Sequence, residues 1–91
     1  MSDSPWRVDL APAAQRQLRK LPPDATARAR GPILALARDR RPPGAVALAG
    51  SPFWRLRVGD LRIVYWVNEA ERAIVILRVD RRNESTYRRV R

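Results

Sequence analysis

From Trp54 to Val67 the chain alternates with period two on both sides of one Gly59-Asp60 pair. That pattern predicts a β-hairpin, because glycine takes the positive φ that a tight two-residue turn demands. With a two-residue turn, Val58 faces Leu61, Arg57 faces Arg62, Leu56 faces Ile63, Arg55 faces Val64 and Trp54 faces Tyr65. Directly opposed residues share a sheet face. One face therefore carries Trp54, Leu56, Val58, Leu61, Ile63, Tyr65 and Val67, and the other carries Arg55, Arg57, Arg62, Val64 and Trp66. Opposed like charges cost stability. A sheet face that gathers arginines points to an anionic ligand more readily than to a folding role.

The rest of the chain supplies a frame for this hairpin. Trp6 to Leu10 alternates and predicts a first short strand with Trp6, Val8 and Leu10 inward. Pro12 suits a first helical turn, and Ala14, Leu18 and Leu21 form an i, i+4, i+7 apolar stripe that Pro22-Pro23 ends. Asp24 suits the start of a second helix, near the positive end of its dipole. Gly31-Pro32 predicts a bend in that helix, or a turn followed by a helix from Pro32. Ile33, Leu34, Leu36 and Ala37 are read as its apolar side, and the short linker predicts an antiparallel helical hairpin. Pro42-Pro43-Gly44 marks a loop, after which Leu48 is expected to enter the core. Beyond the hairpin, Asn68 to Glu71 predicts a turn. The apolar run Ala73 to Leu77 predicts a central strand covered on both faces. If Val75, Leu77 and Val79 face the helices, then Ile74, Ile76, Arg78, Asp80 and Arg82 join the arginine face. The expected architecture is α+β in two layers: an N-terminal strand, a helical hairpin, a three-stranded antiparallel meander (β-α-α-β-β-β) and a basic C-terminal tail.

Composition narrows the chemistry. A chain of 91 residues suits one domain, spanning 1–91. There is neither cysteine nor histidine, so disulfides, thiolate and imidazole catalysis and metal sites built on those ligands are excluded. A net charge of +10 points to a polyanionic partner. No apolar run approaches a transmembrane length and the N-terminus lacks a signal-peptide pattern, so no membrane contact and a cytoplasmic location are expected. Every cation but Lys20 is arginine, whose planar fork binds phosphate in two places at once.

Nearly end to end, the chain resembles the RelE/ParE superfamily of bacterial type II toxins, and its RelE branch more closely. The resemblance rests on Arg16-Gln17-Leu18-Arg19-Lys20-Leu21-Pro22, on Pro42-Pro43-Gly44-Ala45 with Leu48 and Gly50, on Phe53 to Tyr65, and on Ile76 to Arg82 with Tyr87. It implies the β-α-α-β-β-β fold and a toxin that enters the ribosomal A site and cleaves mRNA. Arg62, Arg82 and Tyr87 would be catalytic. Arg55, Arg57, Arg78, Arg81 and Arg88 would contact RNA, and Arg81 and Arg82 remain alternatives for the functional arginine after the last strand. Expected partners are a small acidic antitoxin covering the arginine face and the ribosome with its mRNA, with operator DNA reached only through the antitoxin complex.

The residues suit metal-independent cleavage, with no cofactor expected. RNA carries its own nucleophile, the 2′-hydroxyl. Arginines stabilise charge at phosphorus, and Tyr87 is the available base once neighbouring guanidinium groups favour its phenolate. The alternatives are a ParE-like DNA gyrase poison and a non-catalytic basic module that binds RNA or a protein partner. Neither of them needs Tyr87 and Arg82 together.

Overall fold

The computed structural model describes residues 4–81. The elements run β1 (Arg7–Leu10), α1 (Pro12–Lys20), α2 (Pro23–Ala35), β2 (Val46–Ala47), β3 (Phe53–Val58), β4 (Leu61–Asn68) and β5 (Ala73–Arg81). One five-stranded sheet has the order β1-β5-β4-β3-β2. The β3–β4, β4–β5 and β2–β3 pairs are antiparallel, as a meander requires, while β1 returns parallel to β5. The α+β architecture predicted from sequence is the one observed. Two features lay beyond that reading: the parallel pairing of β1, and the two-residue edge strand β2.

The hairpin register is the predicted one at all five pairs from Val58–Leu61 to Trp54–Tyr65. Its turn has positive φ at Gly59 (+60°) and not at Asp60, the pattern of a type II′ turn. Strand β4 alternates between buried Leu61, Ile63, Tyr65 and Val67 and the less covered Arg62, Val64, Trp66 and Asn68.

Parity along β5 departs from the expectation, and the cause is a bulge. Tyr65 pairs with Ile76, but Val64 pairs with Arg78, so Leu77 is an extra residue with no partner on β4. An inserted residue exchanges the faces on either side of it. Ile74, Ile76 and Val79 are therefore the core residues of β5, and Val75 and Leu77 are only half-buried. Arg78 and Asp80, beyond the bulge, do face outward beside Arg62 and Val64. The unbroken apolar run hides the bulge, because without alternation no face can be read.

The core joins Ala14 of α1, Ala29, Ile33 and Leu36 of the α2 segment, and Leu56, Leu61, Ile63, Tyr65, Val67, Ile74, Ile76 and Val79 of the sheet. Trp6, Val8, Leu10, Leu18 and Leu21 pack around it. Pro12 and Pro23 each open a helix, where a missing N–H is harmless. Arg19 and Lys20 close α1 at its negative end, and Asp24 lies in the first turn of α2. The Thr26 hydroxyl donates to the Leu18 carbonyl at 3.2 Å and fastens the two helices. Of the two expectations at Gly31-Pro32, the helix persists: α2 continues through Pro32 to Ala35. Glycine before proline lacks the Cβ that would clash with the ring. Leu34, expected on the apolar side, is 54% exposed. Leu48 is half-buried and outside the core, on the loop that leads back into β3.

Tyr65 lies at the centre of the sheet, fully buried, with its hydroxyl donating to the Arg40 carbonyl at 2.7 Å. Burial pushes its pKa up to about 12, against a small opposing pull from Arg41. The segment after α2 is anchored from outside as well. Arg40 stacks 4.3 Å from the Trp6 ring and Arg41 lies 5.2 Å from that of Trp54.

Candidate nucleic-acid interface

The two helices cover one side of the sheet, and the side chains on the other form rows set by the strand register. Phe53, Trp66 and Val75 make one row. Val46, Arg55, Val64 and Arg78 make the next, and Arg57, Arg62 and Asp80 the last. Neighbouring strands are about 4.8 Å apart and alternate residues about 7 Å along a strand. Arg55, Arg57, Arg62 and Arg78 thus share a patch roughly 10 Å wide. This is the face expected to bind RNA, and these four arginines do come together on it. A half-covered apolar strip of Phe53, Val64, Trp66 and Val75 continues the patch.

The four guanidinium groups are not equivalent. Val46 and Val64 flank Arg55 across the strands, and its stem is partly covered. Its Nε is buried without a hydrogen-bond partner among the described residues. Arg57 is exposed and lies directly opposite Arg62. Among the described residues, neither Arg55 nor Arg57 forms an ion pair. Arg62 and Arg78 share one carboxylate. Arg62 Nη2 donates to Asp80 Oδ2 at 3.2 Å, and Arg78 donates through Nε to Oδ2 and through Nη2 to Oδ1, each at 3.2 Å. Partial burial raises the pKa of Asp80, but the hydrogen bonds from Arg78 and Arg62 outweigh that and hold it below the usual carboxylate range. Alternation places Asp80 on this face but is silent on its pairing with Arg62 and Arg78. An acidic residue two positions from Arg78, and so on the same face of the strand, is the available signal.

Arg81 stands apart from the patch. Its Nε donates to Asp60 Oδ2 at 2.8 Å, and Asp60 also meets Arg28 of α2 at 3.5 Å. The hydrogen bond from Arg81 lowers the pKa of Asp60. Arg81 thus ties the end of β5 to the hairpin turn and α2, and the structure does not bring it together with Arg62. Arg82, Tyr87 and Arg88 lie outside the described residues. Among the described residues no group of three or more acidic side chains could hold a metal ion, and no helix is long and apolar enough to cross a membrane.

A helix-backed sheet with an arginine-lined outer face defines a small basic α+β domain. The sequence model of the family described as the ParE toxin of type II toxin–antitoxin systems matches residues 8–86. The chain belongs to this family, and so is a type II toxin of the RelE/ParE superfamily. No curated protein matches it in sequence. Among solved structures, it is similar to the RelBE2 toxin–antitoxin complex of Mycobacterium tuberculosis, with 28% identity and a TM-score of 0.75 over 86% of this chain and 99% of that one. It is also similar to the archaeal RelE–RelB complex of Pyrococcus horikoshii, with 26% identity and a TM-score of 0.75 over 86% and 96% of the two chains. The isolated Escherichia coli RelE toxin, at 13% identity, shares the fold with a TM-score of 0.77 over 94% and 99%.

Proposed function

We propose that this toxin is a ribosome-dependent endoribonuclease that cleaves mRNA in the A site by metal-independent attack of the 2′-hydroxyl. The observation that carries this reading is the gathering of Arg55, Arg57, Arg62 and Arg78 on one open sheet face. Such a face suits a phosphodiester backbone, since guanidinium groups supply charge-assisted hydrogen bonds to phosphate oxygens. Arg62, in the last row of the patch, stabilises the charge that builds on phosphorus. Arg55 and Arg57, without acidic partners among the described residues, hold the flanking phosphates. Tyr87 accepts the 2′-hydroxyl proton and Arg82 stabilises the leaving 5′-oxygen. In the histidine-free chain, tyrosine is the side chain suited to serve as that base. A site this poor in good acids and bases depends on an external scaffold to hold the RNA in line, which is the part the ribosome plays. The partner that silences the toxin is a small acidic antitoxin covering the arginine face, consistent with the antitoxins bound to the two toxins most similar in sequence among the structures described above. Operator DNA is reached through that complex.

The test is translation in vitro with purified protein and mapping of mRNA ends. Wild type should produce ends at the A-site codon, while Arg62→Ala and Tyr87→Phe should leave mRNA intact with the fold retained. Intact mRNA with wild type, alongside blocked growth, would remove the nuclease reading. The match to a family named for ParE supports a second reading, a DNA gyrase poison. Cleaved DNA accumulating in a supercoiling reaction would establish it.

A further inference from the structure

The Arg62–Asp80–Arg78 group has a carboxylate where an RNA-binding face should present only positive charge. Asp80 lies directly across from Arg62 in the same row and two residues along β5 from Arg78. Its Oδ2 accepts from both arginines, and its two oxygens together take the Nε and Nη2 fork of Arg78. A phosphate would engage a guanidinium fork in the same two-point manner. The Asp80 side chain is 23% exposed, whereas Arg62 and Arg78 keep 50% and 58% of theirs open. The carboxylate therefore sits low between two guanidinium groups whose outer edges face solvent.

We infer that Asp80 is an internal counter-anion of the phosphate site: a positioning residue that draws Arg62 and Arg78 together across β4 and β5 and occupies, in the free toxin, part of the hydrogen-bonding capacity that an RNA phosphate takes up. Fixed in this way, the two arginines lose less side-chain freedom when RNA binds. The same carboxylate also competes with the incoming phosphate, so binding is weaker than the bare arginines would allow. Two consequences of opposite sign follow for its removal. Affinity rises, because one competing charge is gone. Turnover falls, because Arg62 is no longer held beside the reacting phosphate. This rests on the reading of the face as an RNA site.

The experiment measures binding and cleavage separately. A short single-stranded RNA, without ribosomes, reports affinity across a salt series, and programmed ribosomes report mRNA cleavage. Asp80→Asn should bind the RNA about three- to fivefold more tightly, the size of one partly exposed ion pair. Its salt slope should steepen by about 0.7, the value of one added phosphate contact on a single strand. The same variant should cut mRNA more slowly at saturating ribosomes. A second comparison leaves Asp80 in place. Arg57→Gln, removing a cation with no acidic partner among the described residues, should weaken RNA binding more than Arg62→Gln, whose charge Asp80 already answers in part. Unchanged affinity and slope in Asp80→Asn, or Arg62→Gln costing more binding than Arg57→Gln, overturns the inference. Parallel loss of binding and turnover in Asp80→Asn also overturns it, since that is what a purely structural residue would give. Wild type that binds RNA but leaves mRNA uncut on ribosomes would remove the nuclease reading, while the binding comparisons still decide the role of Asp80.

Discussion

Strand β4 shows two kinds of selection on its two faces. Toward the helices it offers Leu61, Ile63, Tyr65 and Val67, all buried. Away from them it offers Arg62, Val64 and Trp66, with Arg57 directly opposite Arg62 and Asp80 on its other side. Folding physics accounts for the inner face, where each side chain removes apolar surface from water. It does not account for the outer one, where two guanidinium groups are opposed across a ladder. One strand thus carries the stability of the domain on one side and, on the other, the arginine face that the proposed function assigns to RNA. Substitutions should sort accordingly.

The bulge in β5 gives that contrast its largest test. Ile76 lies inside and Val75 outside, the reverse of what uninterrupted alternation would give. Ile76→Ala should cost about 2–5 kcal/mol by leaving a cavity beneath the sheet. Val75→Ala, on a half-covered surface, should cost well under half as much. Urea denaturation of the two variants decides it, and equal losses would mean that the faces are not divided where the register places them.

Tyr65 adds a polar contribution to the buried face, and with it a pH signature. Losing the hydroxyl that donates to Arg40 should cost Tyr65→Phe about 1 kcal/mol at neutral pH. The pKa of Tyr65 is raised in the fold, so the folded state favours the neutral phenol. That stability is fully present below about pH 10, the ordinary tyrosine value, and is lost as the pH rises through about 12. Wild type should therefore lose stability across this range more steeply than Tyr65→Phe, in melting temperatures recorded against pH.

A comparable contribution comes from Gln17. Strand β1 ends with Leu10 opposite Ile76, so among the described residues the edge of β5 beyond that point has no strand beside it. There the Val79 N–H donates to Gln17 Oε1 at 2.6 Å, a side chain of α1 standing in for a strand. Gln17→Leu keeps the bulk but strands the donor, at a cost of about 1 kcal/mol. Amide hydrogen exchange should show the loss at Val79 first. Protection there equal to wild type would assign the end of β5 some other support.

These cases show what the sequence makes legible. The hairpin register was readable because alternation and a Gly-Asp turn leave one pairing that buries the apolar set. The arginine face followed from that register alone, for Arg55, Arg57 and Arg62. Uninterrupted alternation puts Arg78 on the same face but also Ile74 and Ile76, which lie inside because a bulge at Leu77 shifts the parity within the apolar run. The partners of the charges were harder to see. Asp60 pairs with Arg81 and Arg28, residues 21 and 32 positions away in sequence, and such contacts depend on where β5 ends and where α2 passes in space. Periodicity says which way a side chain points, but not which distant charge waits for it.

The smallest effect separates the two faces most sharply, because its sign differs from all the others. Arg57→Thr removes one of two opposed cations and replaces it with a residue that suits an exposed strand. It should raise stability by a few tenths of a kcal/mol, measured as a higher urea midpoint. The gain should shrink as salt screens the repulsion it relieves. Under the proposed function, in which Arg57 holds a flanking phosphate, the same variant should cleave less mRNA on programmed ribosomes. A gain in stability matched by a loss in function is the pattern of a residue kept for what it binds. If Arg57→Thr instead destabilised the fold, the stem of Arg57 would be packing against its neighbours, and this part of the outer face would belong with the inner one.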